Sequence, residues 1–361
     1  MTEPTTATAL AEGFAPATRE QWVALVEKSL KGGDFEKRLV SRTFDGVRID
    51  PLYTRADERP GAGDDRPGVA PFTRGTATAR PKGGWDVRQF HSETDPAKLN
   101  AAILEDLEGG VTSIALQISS SGTPGLSLTP GALAAALDGV LLDVCPIALV
   151  ADENFDAAAR ELIALWDQKG IDRARRAGHF GADPLGTLAQ TGQLGESIED
   201  LVRRALRLAV ETADDPGVTA IGVDAHAYHA AGASEAQELA AMLATIVAYL
   251  RTAERDGIAP ADMLPKISLT LAADADQFAT IAKLRAARRL VWRIAAACGA
   301  GEAVGSVHFS AVTAWRMMAK RDPWTNMLRT TMATAAAALG GADAITVLPY
   351  TYALGRTDRF A

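Results

Sequence analysis

From Trp85 onward, short β-branched or apolar runs alternate with long amphipathic stretches, the pattern that successive strand and helix units require. Eight runs read as strands: residues 86–90, 113–118, 147–150, 179–183, 220–224, 267–271, 306–310 and 344–348. Helical periodicity lies between them at 96–107, 131–142, 155–168, 197–212, 234–255, 276–297 and 324–339. Eight strands separated by helices over residues 85–361 predict an α/β fold, the (β/α)8 TIM barrel. Only thirteen residues follow Leu348, too few for a full eighth helix. Either an arm covers that gap or the sequence is a fragment of a longer chain, and the fragment is the expected case.

Upstream the pattern is weaker. Residues 1–17 are rich in Thr, Ala, Glu and Pro and have no apolar periodicity, so a loose or extended arm that needs another surface is expected. Thr18 and Gln21 make a capping-box pair, and Trp22, Leu25, Val26 and Leu30 share one helical face before Gly32 and Gly33. Phe44-Asp45-Gly46-Val47 places a turn between two short strands. Residues 55–84 are dense in Arg, Asp, Gly and Pro and read as an extended linker. The expected organisation is an arm and linker over 1–84, making subunit contact, and a barrel over 85–361.

Composition narrows the function classes. The 361 residues are 47% apolar and 23% charged, as in globular proteins, which excludes disordered or coiled-coil chains. A net charge of -8 supplies no basic field for nucleic acid or anionic lipid, leaving small molecules or proteins as expected partners. The first eighteen residues hold Glu3 and Glu12 but no Lys or Arg, and no apolar core of a leader follows. The most apolar stretch, 131–151, is interrupted by Asp138, Asp143 and Pro146, a poor membrane span. Cys145 and Cys298 both stand in apolar surroundings and read as two buried thiols. A cytoplasmic protein is expected.

In such a barrel chemistry sits at the C-terminal strand ends. The five histidines are His91, His179, His226, His229 and His308, four of them in or just after the first, fifth and seventh strands. Asp224 and His226, two apart, would share one face of a strand, with His229 returning from the following loop. His91 has no second ligand beside it, so ordinary polar residues at a barrel mouth are the favoured reading and no metal is assigned. Asp224-x-His226-x-x-His229 also half matches the D-x-H-x-x-G signature of a cobalt-ligating histidine, failing at the glycine. Gly299-x-Gly301-x-x-x-Gly305 follows a helix and precedes a strand, the reverse of a dinucleotide fingerprint, and reads as a helix stop. Ser119-Ser120-Ser121-Gly122 is expected to be a plain polar loop rather than an anion cradle.

Several segments carry a resemblance to one family. They include Trp22-Val23-Ala24-Leu25-Val26-Glu27-Lys28, Thr43-Phe44-Asp45-Gly46-Val47, Pro71-Phe72-Thr73-Arg74-Gly75, Trp85-Asp86-Val87-Arg88-Gln89-Phe90, Ala282-Lys283-Leu284-Arg285-Ala286-Ala287-Arg288 and Asp322-Pro323-Trp324-x-Asn326-x-x-Arg329-Thr330. The chain resembles the methylmalonyl-CoA mutases over nearly its whole length. The resemblance implies an extended arm, a barrel that threads acyl-CoA along its axis, and a C-terminal cobalamin domain that is not present in this sequence. It also implies a choice between a catalytic chain and a homologous small subunit that performs no chemistry.

The departures favour the small subunit. Where catalytic chains place a Tyr before W-x-x-R-Q, this sequence has Arg80, and the substrate-side His position is Ala227. Q-N-D with a following Arg becomes Gly181-Ala182-Asp183 and Thr191, and D-x-x-T-x-R-G-Y-D-S becomes Gln117-Ile118-Ser119-Ser120-Ser121-Gly122. Losing the Arg removes a charge-assisted bidentate pair for the substrate carboxylate. The resemblance therefore implies no catalytic, cofactor-binding or metal residue in this chain, with adenosylcobalamin in the holoenzyme and the large subunit as partner. The alternative from a different class is a stand-alone acyl-CoA-binding or metal-dependent barrel enzyme using Asp224, His226 and His229.

Overall fold

The computed structural model describes residues 13, 15, 17–58, 65–78, 83–120, 123–355 and 360–361. It divides into two compact units, residues 1–60 and 61–361.

In the first unit, Thr18 caps helix α1 (Arg19–Leu30) through the expected reciprocal box with Gln21. Lys31 and Gly32 take left-handed conformations that end it, and Trp22 meets Phe35 of the short helix α2 (Phe35–Leu39) edge-on, ring centroids 6.2 Å apart. Strands β1 (Ser41–Arg42) and β2 (Arg48–Ile49) pair antiparallel around the predicted turn, with Gly46 at φ +79°. None of the described residues of this unit is buried. Leu25, Phe44, Val47 and Tyr53 are exposed, so a face that water does not favour has no cover within the unit.

The second unit is a closed barrel of eight parallel strands. They are β3 (Asp86–His91), β4 (Ser113–Gln117), β5 (Ile147–Val150), β6 (Ala177–Ala182), β7 (Gly217–Asp224), β8 (Ile267–Ala273), β9 (His308–Thr313) and β10 (Ala344–Thr346), and β10 closes on β3. Helices α3 (Pro96–Glu108), α4 (Ala132–Ala136), α5 (Phe155–Gln168), α6 (Pro184–Thr191), α7 (Ile198–Glu211), α8 (His226–Ala230), α9 (Glu235–Arg255), α10 (Pro260–Met263), α11 (Gln277–Ala297) and α12 (Thr325–Gly340) connect them. The caps are legible in the sequence: Asp95, Asp183, Ser197, Ser234 and Asp276 each accept a first-turn N–H.

Strand residues such as Ile114, Leu116, Ile147, Leu149, Leu269 and Leu271 share one core with Leu99, Leu162, Trp166, Leu284 and Val291 of the helices. One predicted helix differs. Residues 131–142 form only α4, because Leu137 already leaves helical geometry and Gly139 turns at φ +76°. No helix among the described residues is long and apolar enough to cross a membrane.

Candidate functional site

The mouth at the C-terminal strand ends is built around Asp183, the residue after β6. Its Oδ1 accepts from Gly186 N at 3.0 Å and from the Tyr249 hydroxyl at 2.7 Å, while Oδ2 accepts from Asp224 N at 2.9 Å. Pro184 at the first position of α6 has no N–H to lose, and Asp183 caps that helix. Burial pushes the Asp183 carboxyl up to about 6, although three donors oppose the shift. Burial, ahead of Asp183's charge, also raises the Tyr249 phenol. A carboxylate holding two elements and a tyrosine is committed to structure.

Just before it, β6 bulges against β7 between His179 and Ala182. Gly181 sits in the bulge at φ +63°, and an added Cβ would lie 2.2 Å from the Leu149 carbonyl oxygen. The position that carries Gln in the catalytic pattern thus admits no side chain on this backbone.

The proposed trio does not assemble as a strand face. Asp224 is the last residue of β7, and its Oδ1 accepts from His226 N at 2.9 Å, so the chain turns at once into α8. Desolvation raises the Asp224 carboxyl, with His226 opposing. His226 Nε2 and His229 Nδ1 are sealed from solvent without a hydrogen-bond partner, and His229 Nε2 lies 3.5 Å from Asp274 Oδ2. The hydrogen bond from His229 holds the Asp274 carboxyl below its usual range. Ala227 occupies the same short helix. Among the described residues no three His, Cys, Asp or Glu gather around a common point.

The remaining histidines point elsewhere. His91 ends β3, and its Nε2 lies 3.3 Å from Asp106 Oδ2 of α3, against the helix layer. His308 opens β9, at the opposite end of the barrel from the mouth. Burial takes His91 and His308 down to about 4, and burial with help from Arg88 holds His179 well below the usual imidazole range. Arg88 itself, missed by the search for chemistry, spans the interior: its Nε donates to Ser113 Oγ at 2.9 Å and its Nη1 to Ser310 Oγ at 3.2 Å. Arg88, Ser113 and Ser310 thus form a hydrogen-bonded polar layer in the barrel interior, while His179 Nδ1 is buried without a partner.

Thr191 ends α6, donating to Thr187 O at 2.8 Å and Gln193 O at 2.6 Å. Ser120 donates to Asp152 Oδ2, so that loop hydroxyl is already engaged. Arg80, Ser121 and Gly122 lie outside the described residues, as does most of the 1–17 stretch. Gly299, at φ +71°, follows the α11 cap at Cys298, the expected helix stop. Cys145 is buried, but Cys298 is exposed, because the helix end carries it out of the core. A cavity of about 1020 Å³ opens beside the first residues of β3 and β9, lined by Arg74, Arg285, Asp86 and Asp343, with Asp343 ion-paired to Arg288.

Residues 42–361 match the family model described as methylmalonyl-CoA mutase. The chain belongs to this family. It is 47% identical over 360 residues to a methylmalonyl-CoA mutase small subunit of Streptomyces virginiae, covering 98% of this chain and 57% of that protein. A small subunit from Propionibacterium freudenreichii is 36% identical, covering 98% and 55%. A probable small subunit from Mycobacterium tuberculosis is 40% identical, covering 89% and 51%. The chain spans a little over half the length of these curated relatives. Within a mutase barrel, then, this mouth has the Asp183 and Asp224 carboxylates engaged by backbone N–H groups and the Ser120 and Tyr249 hydroxyls engaged by carboxylates of the same chain.

Proposed function

We propose that this chain is the arm and barrel of a methylmalonyl-CoA mutase small subunit, which docks on the catalytic large subunit and performs no chemistry of its own. The assembled enzyme would interconvert methylmalonyl-CoA and succinyl-CoA. The observation that carries this reading is the bulge at Gly181, where the backbone excludes the side chain that the catalytic pattern needs. Ala227 and Thr191 support it, the first without a proton-carrying group and the second satisfied inside its own helix end.

Adenosylcobalamin belongs in this reading to the holoenzyme. The half-signature does not fit it: His226 Nε2 and His229 Nδ1 are enclosed, and His229 Nε2 faces Asp274 rather than a ligand.

Residues 1–84 serve in this reading as arm and linker and 85–361 as the barrel body. The uncovered apolar residues of the first unit suit a docking role, since burying such a face is worth roughly 25 cal/mol per Å² before association costs. The test pairs two measurements. The pure chain, supplied with adenosylcobalamin and methylmalonyl-CoA, should show no turnover, whereas the co-expressed large subunit should co-purify with it. Turnover by the pure chain rejects the non-catalytic role. Deleting residues 1–33 should leave the barrel folded and weaken co-purification, and full partner affinity in the truncated chain rejects the docking role of the arm.

A further inference from the structure

Residues paired across neighbouring strands face the same side of a sheet, so the register identifies the side chains that share the barrel interior with Arg88. Ser113 pairs with Arg88, Ala148 with His179, Ser268 with His308, and Ala344 with Asp86. These four short side chains are nonetheless sealed: Ser113 and Ala148 are 0% exposed, Ala344 1% and Ser268 3%. An open bore would leave them in contact with solvent. Larger groups fill the space between them, as an eight-stranded barrel just wide enough for its own side chains allows.

Those groups enter from directions spread around the closed sheet. Arg88 stands on β3, His179 on β6 and His308 on β9, three, three and two strands apart. Arg88 is fixed to Ser113 and Ser310, and after burial itself it is Arg88 and then His308 that lower the His179 imidazole, so the three are neighbours. On one side His308 and Asp86 line the cavity at the N-terminal strand ends. On the other, towards the mouth, Gly222, Thr270 and Val312 are half-buried rather than sealed. Solvent thus reaches both ends of the barrel axis but not its middle. Arg88 is the Arg of the W-x-x-R-Q pattern shared with catalytic chains, which leaves His179, packed beside Ala148 with its Nδ1 sealed, as the closing group.

We propose that His179, set against Arg88 and His308, closes the barrel axis, so that no extended ligand, an acyl thioester arm included, passes from the N-terminal cavity to the mouth. The proposal deepens the non-catalytic reading and rests on it for the class of ligand excluded. Restoring reactive groups at the mouth would then not restore a path to them.

The experiment uses the full chain carrying Cys298→Ser and one added thiol, with buried Cys145 reporting global opening. A small thiosulfonate reagent should modify Thr270→Cys rapidly. Ala148→Cys, and Ala344→Cys as a second probe of the middle layer, should react no faster than Cys145. Adding His179→Ala should raise the rate at position 148 about tenfold or more relative to Cys145. Rapid modification at 148 or 344 with His179 in place overturns the proposal. So does a rate at 148 that His179→Ala leaves unchanged, or one that rises only in step with Cys145. The subunit reading is judged separately, by turnover and co-purification of the wild-type chain, so either can fail while the other stands.

Discussion

A Cβ added at Gly181 would lie 2.2 Å from the carbonyl oxygen of Leu149. The backbone there is left-handed, at φ +63°, so any other residue meets both torsional strain and a clash with a main-chain atom that cannot swing away. Gly181→Gln should therefore destabilise the barrel rather than restore a catalytic group. Left-handed geometry costs roughly 1–2 kcal/mol and overpacking a further 1–3 kcal/mol. Gly192 is the control: it shares the positive φ, at +73°, with nothing within 4 Å of an added Cβ. Urea denaturation should show a clearly larger loss for Gly181→Gln than for Gly192→Gln, and equal losses would remove the steric argument.

Asp183 gives stability a dependence on acid. Its carboxyl titrates at about 6 in the folded chain, raised from 3.8, so the folded state holds a proton that the unfolded chain releases. Its contribution is thus least unfavourable below pH 3.8, and stability from this group falls as pH rises through 6. Tyr249→Phe removes a donor that favours the carboxylate, and a hydrogen bond to a charged group is worth roughly 1.5–3 kcal/mol. The loss should be larger at pH 7.5 than at pH 5, where Asp183 is mostly protonated. A loss independent of pH would mean that the tyrosine acts only through packing.

Glu238 of α9 and Lys283 of α11 meet at 2.5 Å, both fully buried, and the second Glu238 oxygen accepts from Ala272 N at 2.7 Å. The pair ties two helices to the end of β8. Lys283→Met leaves the carboxylate buried without its cation, a change that typically costs roughly 3–5 kcal/mol. Adding Glu238→Gln, which keeps an acceptor for Ala272, should recover part of that loss. A double variant as weak as the single one would place the effect in packing around Lys283.

Much of this architecture was legible because its signals are local. All eight strands lie where the apolar runs predict them, and Thr18, Asp95, Ser234 and Asp276 cap the helices that follow them. The failures concern contacts that sequence spacing does not encode. The two-residue interval between Asp224 and His226 suggested one strand face, but the Asp224 carboxylate captures the His226 N–H and turns the chain into α8. The pattern showed that Gly181 replaces a Gln, whereas its physical reason, the approach of Leu149 O in the neighbouring strand, depends on the β5–β6 pairing. Arg88 likewise reads as one more strand residue until Ser310, 222 positions away, appears opposite it.

The two cysteines should separate cleanly by reactivity. Cys298 is exposed at the end of α11, while Cys145 is buried and its thiol is pushed up to about 11, chiefly by desolvation and then by the nearby Asp86. The thiolate is the nucleophile, so Cys145 is held back both by access and by protonation. An aromatic disulfide reagent at pH 7.5 should label one thiol per chain quickly in native protein and two after denaturation. Cys298→Ser should abolish the fast phase, leaving only slow reaction at a rate set by opening of the structure around Cys145. Because the folded chain disfavours the Cys145 thiolate, raising the pH from 9 towards 11 should also cost stability, and Cys145→Ser should lessen that loss. Rapid labelling of both thiols in native protein would show that the N-terminal end of β5 is open to solvent, contrary to the packing of Cys145 within the core.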